Sequence, residues 1–195
     1  MPGANVLVVF YSRTGVTETL ALAAGVGAVH AGASIRLRRI RDSADEKTIA
    51  AHKAWLENRE RMNKEYGAPT AADVAWANAI ILAAPHGFDA SSTELSGFLK
   101  TIRSTSTDGK LTNKIAGAFD STSLGTENHP GVTSILSALG GSGLTVLPSG
   151  WSDPDDSADV HAREKPLVAH SPEVALAQSY GRMLARKADA LTASR

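Results

Sequence analysis

The sequence predicts an α/β fold: a doubly wound sheet of five parallel strands with helices on both faces. Three observations carry this. Short β-branched runs alternate with Ala-rich stretches of helical length. Two of the runs, Val6–Tyr11 and Ala79–Ala84, are apolar at every position. The first of them runs directly into a loop rich in hydroxyls and glycine, and then into a helix. A strand apolar on both sides belongs in the middle of a parallel sheet, because only a sheet covered by helices buries both faces. Regular β-α alternation with right-handed crossovers then leads to the open doubly wound form.

Each element can be justified in order. Val6–Tyr11 is the central first strand. Thr17 to about Ala31 follows as a helix, and Ser34–Ile40 alternates apolar with charged residues. That alternation predicts an edge strand with one face in water, where the arginines discourage further pairing. Asp42–Gly67 is charged and helix-prone, with Trp55, Leu56 and Met62 near helical spacing; it predicts an amphipathic helix over the sheet, a lid or an oligomer contact. Ala79–Ala84 is the third strand, stopped by Pro85. A helix over Ser92–Ser104, a strand over Lys114–Phe119, a helix over Gly131–Leu139 and a strand over Leu144–Pro148 complete the alternation. The last helix, Pro172 to about Ala193, has Ser171 as N-cap, Pro172 in its first position and Glu173 near its positive end. We expect one domain over residues 1–195, with a helical insertion at 42–67 and a loop excursion at 152–170.

Composition excludes several function classes. The 195 residues are 43% apolar, enough for a substantial core. With no cysteine there is no disulfide scaffold, thiolate zinc site or cysteine nucleophile. Lys plus Arg number 20 and Asp plus Glu number 20, so no net field draws the chain to nucleic acid or acidic lipid. The start, Met1–Asn5, lacks the basic flank of a signal peptide, and no run is long and apolar enough to span a bilayer. A cytoplasmic location is expected, without nucleic acid or membrane partners.

The chemistry is expected at the carboxyl ends of the strands. After the first strand comes Tyr11-Ser12-Arg13-Thr14-Gly15-Val16-Thr17-Glu18. The backbone N–H groups of about Arg13, Thr14, Gly15, Val16 and Thr17 form a phosphate cup at a helix start. The hydroxyls of Ser12, Thr14 and Thr17 add to it, as does Arg13 if its charge turns inward. The nucleotide-triphosphate lysine is absent, and Gly25-Val26-Gly27 lies inside a helix rather than in a dinucleotide loop. His86 and His129 fall on neighbouring loops, where an imidazole could protonate or orient a substrate. His30, His52, His161 and His170 lack metal-ligand spacing, and the acidic Asp153–Glu164 run, without the required glycine, is better a solvated loop than a calcium site; no metal is expected. Trp55, Trp76 and Trp151 are expected to serve mainly in packing.

The Ser-x-Thr-Gly-x-Thr-Glu segment resembles the phosphate loop of flavodoxin-like proteins. Further segments resemble one branch, the WrbA-type NAD(P)H:quinone oxidoreductases. Ala84-Pro85-His86-Gly87-Phe88 stands where that family has Thr-Pro-Thr-Arg-Phe-Gly-Asn along the flavin ring. Phe98-Leu99 follows in the next helix. Asp120-Ser121-Thr122-Ser123-Leu124-Gly125-Thr126 stands where it has Ser-Ser-Thr-Gly-Thr-Gly-Gly, and Gly143–Trp151 resembles its Gly-Met-Val-Ile-Val-Pro-Ile-Gly-Tyr. Gly87 and Ala90 replace the Arg and Asn of the second loop, and Gly141-Ser142 replace a histidine pair beside the flavin.

The resemblance implies strand order 2-1-3-4-5 and FMN held by Ser12, Arg13, Thr14, Gly15, Val16 and Thr17 at its phosphate. At the ring it implies Pro85, His86, Gly87, Phe88, Ser121, Thr122, Ser123, Leu124 and Gly125. Gly87 and Gly125 would allow close backbone approach, and Phe88 and Leu124 apolar contact. It further implies two-electron reduction of a quinone by NAD(P)H and a homo-oligomer, dimer or tetramer; His86 and His129, on the ring-side loops, are the candidate catalytic residues, with a solvent-exposed loop histidine as the alternative for each. A one-electron carrier, or a flavodoxin-fold protein with a degenerate flavin site, is the alternative. The balanced charge argues against the carrier, which needs a strongly charged docking face.

Overall fold

The computed structural model describes residues 3–106, 109, 111–124, 129–149 and 171–193. Five strands are present: β1 Asn5–Phe10, β2 Ser34–Arg39, β3 Ala79–Ala84, β4 Ile115–Asp120 and β5 Thr145–Leu147. They form one parallel sheet in the order β2-β1-β3-β4-β5, with Val8 of β1 opposite Leu37 of β2 and Ile81 of β3. The helices are α1 Val16–His30, α2 Glu46–Ala50, α3 Lys53–Glu65, α4 Ala71–Trp76, α5 Thr93–Thr105, α6 Pro130–Gly140 and α7 Pro172–Ala193.

Strand alternation divides the core in two. Val6, Val8, Phe10, Ile81 and Phe119 lie under α1 and α7, against Ala24, Ala28, Tyr180 and Leu184. Leu7, Val9, Ile80, Leu82 and Ala116 lie under α4, α5 and α6, against Val74, Phe98, Ile102 and Ile135. Every residue of β3 and β4 is buried, as a two-face-covered sheet requires. Each large aliphatic side chain so buried contributes about 1.5–3 kcal/mol relative to exposure.

Two expectations are corrected. The segment 42–67 holds two helices, not one, because the chain turns at Ala51-His52. The arginines of β2 do not simply face water. Arg36 and Arg38 converge on Asp73 at 3.1 and 3.0 Å, and Arg39 is wholly buried. Asp73 in turn completes a capping box with Thr70 that starts α4. The calcium-like run, Trp151 and the 152–170 excursion lie outside the described residues. Among the described residues no helix is long and apolar enough to cross a membrane.

Small residues let α1 and α7 meet backbone to backbone. A methyl added at Gly27 would lie 1.8 Å from the Gln178 carbonyl oxygen, and one at Gly181 would lie 1.9 Å from that of Ala24. Neither neighbour is a side-chain tip that can swing aside. Gly27→Ala and Gly181→Ala are each expected to destabilise the fold by about 1–3 kcal/mol through overpacking. Gly97→Ala, with open space around it, is the control. Denaturant melts that left Gly27→Ala as stable as Gly97→Ala would refute the close contact.

Candidate functional site

β1 ends buried, and the chain turns through Ser12–Gly15 into α1. Gly15 is the N-cap, with φ 93, a left-handed conformation that glycine adopts without steric cost. It has no side chain to cap the helix, and the first helical bond runs from Thr19 N to Gly15 O at 3.0 Å. The N–H groups of Val16, Thr17 and Glu18 therefore precede the helical ladder and have no partner within it. Ser12 is buried, and its Oγ accepts from Gly15 N at 3.0 Å, which closes the loop into a ring. Thr14 is exposed and Thr17 buried, both beside those amides.

The helical insertion reaches the same loop. Glu18 sits in the first turn of α1 with only 6% of its side chain exposed, where its charge would oppose a bound anion. Arg61 of α3 donates to Glu18 Oε1 at 2.8 Å and Tyr66 OH to the same oxygen at 2.9 Å. Burial acts to raise the Glu18 carboxyl, but these two donors outweigh it and hold it below the ordinary carboxylate range. Burial likewise pushes the Tyr66 hydroxyl up to about 12, so it remains a donor.

Arg13 turns away from the cup. Its Nε donates to Tyr11 OH at 2.8 Å, its guanidinium lies 4.3 Å from the Trp55 ring centroid and 5.4 Å from that of Phe88, and Glu94 stands 3.6 Å away. The aromatic faces and the carboxylate together outbid the loop for the charge. The Arg13 guanidinium is thus held by Tyr11, Trp55, Phe88 and Glu94.

The loops after β3 and β4 meet beside this one. Gly87 has φ 83 and open space around it. Phe88 packs on Tyr11 at 5.3 Å between ring centroids. Asp120, the last residue of β4, accepts from Thr122 N at 2.7 Å and from Thr122 Oγ1 at 2.9 Å. Its burial acts to raise the carboxyl, whereas the Thr122 bonds and the nearby His129 hold it below the ordinary range. His86 and His129 come together here, ring centroids 5.4 Å apart, although 43 positions separate them in the chain. Val16 and Ser121 share a groove of about 290 Å³ that continues between α1 and the start of α7.

Comparison with known proteins adds three findings. No family model matches the chain. It is 35% identical over 114 residues to the NAD(P)H dehydrogenase (quinone) of Deinococcus radiodurans, covering 58% of this chain and 56% of that one. It is 34% identical over 120 residues to the protein of that name from Azorhizobium caulinodans, covering 61% and 57%. The chain thus spans little more than half the length of these curated relatives. Among solved structures it is similar to a WrbA-like flavodoxin from Agrobacterium tumefaciens, with TM-score 0.55 and 18% identity over 95% of this chain and 97% of that one. It is also similar to the flavodoxin of Megasphaera elsdenii, with TM-score 0.52 and 18% identity over 91% and 98%. The fold is flavodoxin-like.

Within this flavodoxin-like fold the expected residues divide. Ser12, Thr14, Gly15, Val16 and Thr17 gather at the start of α1, and Pro85, His86, Phe88, Ser121 and Thr122 line the neighbouring loops. Ser123 is wholly buried, its Oγ accepting from Asp120 N at 2.8 Å, and Leu124 turns into the core under α1 and α7. Both support the third loop from beneath. Gly125 lies outside the described residues. Sequence reasoning missed Arg61, Tyr66 and Asp120; the signal for the first two was a buried acid in the first turn of α1 in want of a cation.

The Glu18–Arg61 pair makes stability depend on acid. The Glu18 carboxyl is depressed in the folded state, so its contribution is present above its ordinary value of 4.5 and is lost as pH falls through the folded value. The stability gap between the parent protein and Glu18→Gln is expected to narrow steadily from about pH 6 to about pH 3. Thermal melts showing a constant gap across that window would contradict the pairing.

Proposed function

We propose that this protein is an FMN-dependent oxidoreductase passing two electrons from NAD(P)H to a quinone or a similar small acceptor. The observation that carries the reading is the set of amides at Val16, Thr17 and Glu18 that lie outside the helical ladder, presented by a helix without a side-chain cap whose one first-turn acid is already paired with Arg61. Such a helix start favours a phosphate monoester by charge and by hydrogen bonding. The exposed Thr14 and buried Thr17 hydroxyls make no hydrogen bond within the described residues and are placed to donate to the same group. The names of the curated relatives support the redox assignment.

FMN, when bound, supplies the hydride chemistry itself. The chain's part is to bind, orient and exclude water. The loop amides and hydroxyls hold the phosphate. Pro85–Phe88, with the open space at Gly87, admits a flat ring near the backbone, and Phe88 offers it an apolar edge. His86 and His129 lie at the carboxyl ends of the strands and are placed to orient an acceptor oxygen by hydrogen bonding. For the homo-oligomer, the exposed apolar side chains Leu22, Val26 and Val29, spaced along one face of α1, are the surface on which we place contact between copies.

Thr14→Glu tests the reading. A carboxylate in the cup opposes the phosphate, while the exposed position leaves the core intact. Purified parent protein is expected to release FMN on denaturation and to reduce benzoquinone with NADH or NADPH. Thr14→Glu is expected to lose at least about tenfold in FMN affinity, the cost of one misplaced charge. Unchanged flavin content in Thr14→Glu would remove the site assignment. Bound flavin without turnover by either donor would favour the one-electron carrier.

A further inference from the structure

Asp120 has only 3% of its side chain exposed, yet its two oxygens have different surroundings. Oδ1 is committed to the N–H and hydroxyl of Thr122. Oδ2 lies 3.4 Å from Nδ1 of His86 and 3.4 Å from Nδ1 of His129. The three ligand-capable atoms all fall within 4.8 Å of one another. Each comes from a different part of the fold: His86 from the loop after β3, Asp120 from the end of β4, His129 from the N-cap of α6.

The two 3.4 Å separations fit a shared ion better than a direct bond between histidine and carboxylate. A good N–H···O bond is about 2.9–3.0 Å long, and one between a charged imidazole and a carboxylate is shorter still. Both 3.4 Å contacts are too long for that. Two donors on one tetrahedral ion, each about 2.0–2.1 Å from it, stand about 3.4 Å apart. Two imidazole nitrogens and a carboxylate oxygen are also a donor set that first-row divalent ions take, with a further position left open. The Thr122 bonds fix the carboxylate plane as outer partners of a metal ligand do. The Thr122 hydroxyl is hydrogen-bonded to His86 Nδ1 at 2.9 Å, a bond that an ion taking that nitrogen would replace.

We propose that His86, Asp120 and His129 form a binding site for a divalent first-row transition ion with zinc-like coordination. It goes beyond the flavin reading and does not depend on it. An imidazole nitrogen engaged by the ion is no longer available to an acceptor, so the two uses of the histidines alternate.

The test is calorimetric titration of the tag-free, chelator-stripped full chain with Zn²⁺ alone, its flavin content recorded. One equivalent is expected to bind, and His86→Ala and Asp120→Asn are each expected to weaken binding by at least about tenfold. His86, 63% exposed at its side chain, can be truncated without disturbing the core. Asp120→Asn is checked by its thermal melt. His52→Ala, outside the cluster, is expected to bind as the parent does. Cobalt(II) is expected to give a ligand-field spectrum that disappears in His86→Ala. Equal Zn²⁺ affinity in the parent and His86→Ala, or no stoichiometric binding at all, overturns the proposal. A colourless protein that takes up one Zn²⁺ would fail the flavin reading alone; a yellow one that takes up none would fail this one alone.

Discussion

The buried guanidinium of Arg39 ties the functional edge of the sheet together. With no exposure at all, it donates to the Asp42 carboxylate at 2.7 Å, to the Asn63 side chain at 2.7 Å and to the Ser12 carbonyl at 3.3 Å. Three segments distant in sequence are thereby fixed to one cation: the end of β2, the helical insertion and the exit loop of β1. Asp42 extends the network, accepting from Trp55 Nε1 at 2.8 Å and Tyr11 OH at 3.1 Å. Removing one member of such a pair leaves the other charged and buried, a loss of about 3–5 kcal/mol. That cost keeps the insertion seated over the loop, and with it Arg61 within reach of Glu18.

The sheet was legible because its signal is local. Ala79–Ala84 is an uninterrupted apolar run stopped by a proline, and it forms β3 over the same six residues. The start of α7 at Pro172 was equally plain from its capping residues. What could not be read depends on partners far along the chain. α4 is only six residues long and betrays itself solely through Thr70 and Asp73, a capping box too short to stand out. The turn at Ala51-His52 interrupts a segment whose composition is helical throughout. The alternation of β2 did identify an edge strand, but nothing local could say that Arg39 would also bond Asn63 and the Ser12 carbonyl.

The site followed the same rule. The backbone course of the loop was visible, since glycine and hydroxyls mark a turn between a buried strand and a helix. The site's side-chain part was only half visible. Arg13 adjoins the cup in sequence, yet Trp55 and Glu94, 42 and 81 positions later, capture it. His86, Asp120 and His129 show no ligand spacing, because the β3–α5–β4 crossover and the connection from β4 to α6 bring them together.

The two ends of the site therefore respond differently to sequence change. Amides are common to every residue except proline, so the proposed phosphate cup would survive substitution as long as Gly15 can hold its left-handed turn and Glu18 stays neutralised. A ring pocket relies on particular side chains. Here those depart from the quinone reductases the sequence resembles: Gly87 and Ala90 stand where Arg and Asn are expected, and a His-Asp-His cluster lies at the adjacent strand ends. A scaffold that anchors its ligand through the backbone is free to alter the chemistry at the other end without losing its hold.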